Sequence, residues 1–234
     1  PVLLSGANDG VVRVYARGAN GNLADTGTAF TPFPGFVGAV RTAVADFTGD
    51  GIADYAFATG PGAAARVRVI NGATGADVVA ATTVLGGFGG GAYVAAGDLD
   101  RDGTAELVVS ADAGGLPTVE VYRVASGRLA GVTSFLAFSP NSRRGARVAA
   151  GDLNRDGASE VIVSAGVGQL PRVQVYDGAA LGTGRVELLT PSFLAFGVGM
   201  MAGVNVTAGD VDGDGDDDLI ASQDSGGNSR TRVW

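Results

Sequence analysis

The sequence has no cysteine and no histidine, and because all sixteen basic residues are arginine it has no lysine either. Without cysteine there is no disulfide framework, no thiolate metal site and no thiol nucleophile. Without histidine and lysine there is no Ser-His-Asp triad, no His-ligated zinc, no Schiff-base chemistry and no phosphate loop of the type that needs a lysine. Apolar runs all fall short of 18 residues, so no membrane span is expected. The chain opens at Pro1 with no signal-like segment, so any targeting peptide is expected to have been removed or never included. Aromatic residues are sparse, at 7% with a single tryptophan, which leaves little stacking surface for sugars. A formal charge of −8 argues against nucleic acid or anionic lipid as a partner.

What is present is 40 glycines and 46% apolar residues over 234 positions, enough for one sizeable core or two small ones. Short valine-rich runs separated by Gly and Pro point to β-structure with tight turns and scarce helix.

An internal repeat organises the chain. "DFTGDGIAD" begins at Asp46, "DLDRDGTAE" at Asp98, "DLNRDGASE" at Asp152 and "DVDGDGDDD" at Asp210, spaced by 52, 54 and 58 residues. A second marker keeps nearly the same step: "VRVY" ends at Tyr15, "VRVI" at Ile70, "VEVY" at Tyr122, "VQVY" at Tyr176 and "TRVW" at Trp234. Each full unit reads as four strands: an inner one before the acidic loop, a near-continuously apolar second one after it, an alternating third and an outer fourth such as "SFLAF". That is a propeller blade. The units run 1–38, 39–91, 92–145, 146–203 and 204–234, and 18 strands are expected, with three-stranded blades at both ends. The expectation is a closed, monomeric five-bladed ring in a single all-β domain.

The acidic loops suit a hard cation such as Ca2+, which takes six to eight oxygens from carboxylates, carbonyls and water. Loop positions 1, 3, 5 and 9 supply side chains, position 7 a backbone carbonyl, and Gly at position 6 the sharp turn. In the second loop these are Asp98, Asp100, Asp102, Glu106 and Thr104; in the third, Asp152, Asn154, Asp156, Glu160 and Ala158; in the fourth, Asp210, Asp212, Asp214, Asp218 and Asp216. The first offers Asp46, Asp50, Asp54 and Ile52, but Thr48 stands where the others carry Asp or Asn, so it is expected to be the weakest. An EF-hand needs Glu at position 12, where this chain has Phe57, Val109, Val163 and Ala221, so that reading fails. The competing reading is a metal-free turn in which Asp holds its own backbone. Against it, 16 of the 24 acids fall inside these four loops, a crowding that is unfavourable without a neutralising cation.

The stretch "GGFGGGAYVAAGDLDRDGTAELVVSA" resembles the FG-GAP repeat of integrin-α-type β-propellers and their bacterial relatives. The resemblance runs through five copies, and it departs from the family pattern at Thr48, at Glu106 and Glu160, and in copies without Phe-Gly. It implies three to four Ca2+ ions in the loops of one face and a protein or glycan ligand on the opposite face. It does not imply integrin function, and the "RDG" strings at 101–103 and 155–157 lie inside the loops rather than forming an adhesion signal.

Function must come from the site rather than the fold. A non-enzymatic binding, adhesion or scaffold module is the leading expectation; a lectin, or a polysaccharide-degrading enzyme on the same fold, is the alternative. Arg143, Arg144 and Arg147 in "SPNSRRGAR" suit a carboxylate or sulfate on a partner, and Asp112 lies in a second-to-third-strand loop of the same face. A solvated loop is the plainer account of that cluster. Weak loop sites fit millimolar Ca2+ outside the cell, so an extracellular or cell-surface location is expected.

Overall fold

The computed structural model describes residues 2–18, 20–224 and 229–234. Pro1, where the first unit was placed to begin, lies outside them. Eighteen strands form five antiparallel sheets, each built from chain-consecutive strands. The first blade holds β1 (Val2–Gly6), β2 (Val12–Arg17) and β3 (Leu23–Phe30); the second, β4 (Val40–Ala45), β5 (Asp54–Thr59), β6 (Arg66–Ile70) and β7 (Asp77–Thr83). The third holds β8 (Ala92–Gly97), β9 (Glu106–Ala111), β10 (Thr118–Ala125) and β11 (Arg128–Leu136). The fourth holds β12 (Ala146–Gly151), β13 (Glu160–Ala165), β14 (Arg172–Tyr176) and the two-residue β15 (Phe193–Leu194); the fifth, β16 (Val204–Gly209), β17 (Asp218–Gln223) and β18 (Thr231–Val233). This is an all-β five-bladed propeller with three-stranded first and last blades. The one α-helix among the described residues, α1 (Gly178–Gly182), interrupts the fourth blade and is capped by Asp177, whose Oδ1 accepts from the Ala180 N–H.

Burial follows position in the blade. Strands β9 and β13 are buried at every residue, because neighbouring blades cover both faces. Third strands alternate, as in β14, where Val173 and Val175 are buried and Gln174 is half-buried. Inner strands β4, β8, β12 and β16 pack side by side around the axis.

Four hydrophobic clusters join consecutive blades. Leu4, Val12 and Val14 meet Phe57 and Ile70 between the first and second; Val67 and Val69 meet Val94 and Leu107 between the second and third. Val119 and Val121 meet Val161 and Val163 between the third and fourth; Val173 and Val175 meet Val204 and Leu219 between the fourth and fifth. Among the described residues no hydrophobic cluster joins the fifth blade to the first. The closed ring expected from the strand count needs five such cores, and the described residues supply four. Leu3 is 49% exposed and Val233 50%, whereas Val161 and Val175, the repeat-equivalent positions of the fourth blade, are 0% and 3% exposed.

Candidate metal centre

Each inner strand pairs with its second strand so that the acidic loop closes the hairpin: Ala45 opposes Asp54, Gly97 opposes Glu106, Gly151 opposes Glu160 and Gly209 opposes Asp218. The ninth loop position is thereby the first residue of a strand. Asp54, Glu106 and Glu160 are buried, and Asp218 is half-buried.

The four loops share one hydrogen-bonding scheme. The first-position carboxylate holds the loop backbone: Asp98 accepts from the N–H groups of Arg101 and Gly103, Asp46 from Gly49 and Gly51, Asp152 from Asp156 and Gly157, and Asp210 from Gly213 and Gly215. The ninth-position acid accepts from the second-position N–H, at 3.0 Å for Asp54 and 2.9 Å for Glu106, Glu160 and Asp218. The fifth-position Asp accepts from the seventh-position N–H, as Asp102 does from Thr104 at 2.8 Å. The turn reading of these loops is therefore correct as far as it goes. It accounts for both oxygens of Asp98 and only one of Glu106.

What it leaves over is the metal question. Asp98, Asp100 and Glu106 bring carboxylate oxygens within 4.8 Å of one another, as do Asp210, Asp212 and Asp218. Oxygens on opposite sides of a Ca2+ ion lie about 5 Å apart, given Ca–O distances of about 2.3–2.6 Å. In the second loop Asp100 Oδ1 and Glu106 Oε1 are buried and accept no hydrogen bond. Arg123 pairs with the other Asp100 oxygen and stands 3.3 Å from Glu106 Oε1, a partial counter-charge for a four-carboxylate loop. The third loop has Asn154 at its third position, where the amide donates to Asp156 and Glu160. In the first loop Asp46 and Asp54 spend both oxygens on backbone N–H groups.

The electrostatics divide the ligand set in two. Burial pushes the Glu106 carboxyl up to about 7, reinforced by the Asp100 and Asp102 charges against the Leu99 N–H and Arg123. Glu160 is likewise pushed up to about 7 by burial, with Asp156 and Asp152 adding to the rise. The Thr104 hydroxyl and N–H hold Asp102 below its usual range, and the Ala158 N–H does so for Asp156. A buried acid beside fixed anions is the arrangement a divalent cation relieves.

The loops are also tied to one another. The first-position carbonyls of the first three loops accept from the next blade's loop: Ala105 N–H to Asp46, Ser159 N–H to Asp98, Asp217 N–H to Asp152. Arg101 pairs with Asp156 at 2.6 Å, and Arg155 with Asp216 at 2.5 Å. The arginines of both "RDG" strings are thus spent on inter-blade ion pairs. All four sixth-position glycines have positive φ, from 77° to 95°, and nothing stands within 4 Å of a Cβ added at Gly103. Gly103→Ala is expected to cost about 1–2 kcal/mol through backbone strain alone, read as a lowered urea midpoint with unchanged slope.

The family comparison falls on this loop. A family model described as FG-GAP-like repeat matches residues 46–109, from the first residue of the first loop, through the second loop, into β9. No curated protein sequence matches the chain. Among solved structures, the Dos1 propeller is similar over 100% of this chain and 54% of its own, with TM-score 0.54 and 12% identity. The exotype rhamnogalacturonan lyase YesX is similar over 93% of this chain and 48% of its own, with TM-score 0.50 and 15% identity. A Bacillus licheniformis rhamnogalacturonan lyase is similar over 92% and 49%, with TM-score 0.50 and 16% identity. The chain spans about half the length of each, and at these identities the likeness is one of fold.

On the face away from the acidic loops, the four predicted partner-binding residues part company. Arg147 and Asp112 are buried. Arg147 pairs with Asp224 of the next blade and donates to Tyr93 Oη at 3.2 Å. Asp112 accepts from Arg41 at 2.6 Å, and the Arg41 guanidinium lies 3.8 Å from the Tyr93 ring centre. These are bridges between blades. Arg143 and Arg144 are exposed and without an ion pair among the described residues. Arg41 and Arg123 escaped the sequence reading because each meets its acid only across a sheet or a blade junction; Arg101 and Arg155 had a signal, being the arginines at a loop position that holds Gly49 and Gly213 elsewhere.

Proposed function

We propose that this chain is a non-enzymatic, Ca2+-stabilised propeller that works outside the cell as a binding or scaffold module. The observation that carries the metal assignment is the pair of buried carboxylate oxygens, Asp100 Oδ1 and Glu106 Oε1, left without hydrogen bonds in a cluster of three acids. Ca2+ supplies the positive charge that Arg123 provides only in part, and it needs no Cys or His ligand, which the chain lacks. The second, third and fourth loops bind an ion each, and the first binds more weakly because Thr48 replaces a carboxylate and its acids are already satisfied. The extracellular assignment rests on the millimolar Ca2+ such loops suit, on the usual occurrence of FG-GAP repeats in extracellular proteins, and on the lack of any helix among the described residues long and apolar enough to cross a membrane. The ligand is a protein or glycan held on the face opposite the loops.

Calorimetric titration of chelator-stripped protein tests the metal assignment. Uptake of about three ions is expected, falling by one in Asp100→Asn/Glu106→Gln. No heat and no uptake in the wild type overturns it.

A further inference from the structure

The structure carries two equivalent clefts on the face opposite the acidic loops, one at each of two blade junctions. At the second–third junction the cleft is about 320 Å3 and is lined by Phe88, Gly115, Leu116, Thr118, Glu120 and Arg143. At the third–fourth junction it is about 470 Å3, within the range of small-molecule sites. Advancing by the 54-residue repeat carries Gly115 to Gln169, Thr118 to Arg172 and Glu120 to Gln174. The first cleft thus has an acid to balance its arginine; the second has an arginine and no acid.

That change decides the chemistry of the larger cleft. Gln169 Nε2 is buried there without a hydrogen-bond partner. Arg172 is fixed by one bond, Nη1 donating to Ser192 Oγ at 2.7 Å, and makes no ion pair among the described residues, so its other N–H groups are open. The Gln174 carbonyl oxygen is taken by the Tyr176 hydroxyl at 3.0 Å, which leaves its amide N–H groups as the free end. Against these donors stand Phe138 and Leu170, the latter 38% exposed. The cleft therefore asks for a ligand rich in acceptors, carrying one negative charge and an apolar face.

We propose that this cleft binds a uronate unit of an acidic oligosaccharide, its carboxylate on Arg172 and its hydroxyls on Gln169 and Gln174. A carboxylate matches the open guanidinium N–H groups. Sugar hydroxyls accept as well as donate, which suits a wall of amide donors, whereas a peptide brings N–H groups for which the cleft has few acceptors. The C–H face of a pyranose covers Phe138 and Leu170.

The assignment does not depend on the metal loops, and the test keeps them constant. Wild-type chain at fixed Ca2+ is titrated with tetragalacturonate, with uncharged galactotetraose and with tri-glutamate. Saturable binding of tetragalacturonate alone is expected, weakened at least tenfold in Arg172→Gln and in Gln169→Ala at unchanged melting temperature, and untouched in Arg143→Gln. Absence of tetragalacturonate binding overturns the proposal, as does equal binding of galactotetraose or tri-glutamate, or full affinity in Gln169→Ala. If Arg172→Gln melts early, Gln169→Ala decides alone.

Discussion

Millimolar Ca2+ is expected to raise the melting temperature of the chelator-stripped protein by about 5–10 °C for each strongly occupied loop. An ion that binds only the folded state stabilises it by about 2.7 kcal/mol at a hundredfold excess over its dissociation constant. In a domain of this size about 1 kcal/mol moves the melting point by about 2–4 °C. The effect should be largest through the second and fourth loops, where three acids converge, and it should fall in Glu106→Gln, which removes a charge and keeps the shape. Because successive loops are joined by the Ala105, Ser159 and Asp217 backbone bonds and by the Arg101 and Arg155 pairs, occupying one loop also firms its neighbours. Superimposable melting curves in chelator and in Ca2+ would sink the metal assignment.

The second expected result is a stability that runs against pH without metal and with it in Ca2+. Glu106 and Glu160 have folded-state values of about 7, raised from 4.5. The folded state holds their protons more tightly than the unfolded chain does, so the stability they contribute is fully present below about pH 4.5 and is lost as pH rises to about 7. At about 1.4 kcal/mol per pKa unit this amounts to about 3 kcal/mol for each group as an upper figure. Asp46, Asp102 and Asp156, whose values are lowered, act in the opposite sense and only in more acid solution. In chelator the protein should therefore melt higher at pH 5 than at pH 8. With Ca2+ the order reverses, because the ion takes only deprotonated carboxylates and its binding releases protons. Glu106→Gln should remove about half of the metal-free slope. A metal-free melting point that is flat or rising between pH 5 and 8 contradicts the buried, metal-facing role given to these two residues.

The two clefts on the other face were out of reach of the sequence. Gln169, Arg172 and Gln174 are scattered polar residues in the chain, and only the packing of the third blade against the fourth turns them into one wall. Arg147 and Asp112 were misjudged in a related way: both read as free surface charge, and both are buried against residues of another blade. No local signal distinguishes a charged side chain in solvent from one buried against a residue 71 or 77 positions away.

The repeat by itself determined the strand number, the blade order and the place of the acidic loops, because hydrophobic alternation, turn glycines and the nine-residue loop act over a few neighbouring residues and recur at each period. The tertiary structure decided which oxygens are free. The first-position Asp is consumed by its own loop, Glu106 and Asp100 each keep one buried oxygen in reserve, and Arg123 reaches them from the third strand of the same sheet. It also decided that, among the described residues, the blades share four hydrophobic cores, with none between the last and the first. The division has a physical cause: backbone conformation is set by local sequence, whereas burial, ion pairing and the desolvation that shifts a carboxyl depend on what the neighbouring strands and blades bring against it.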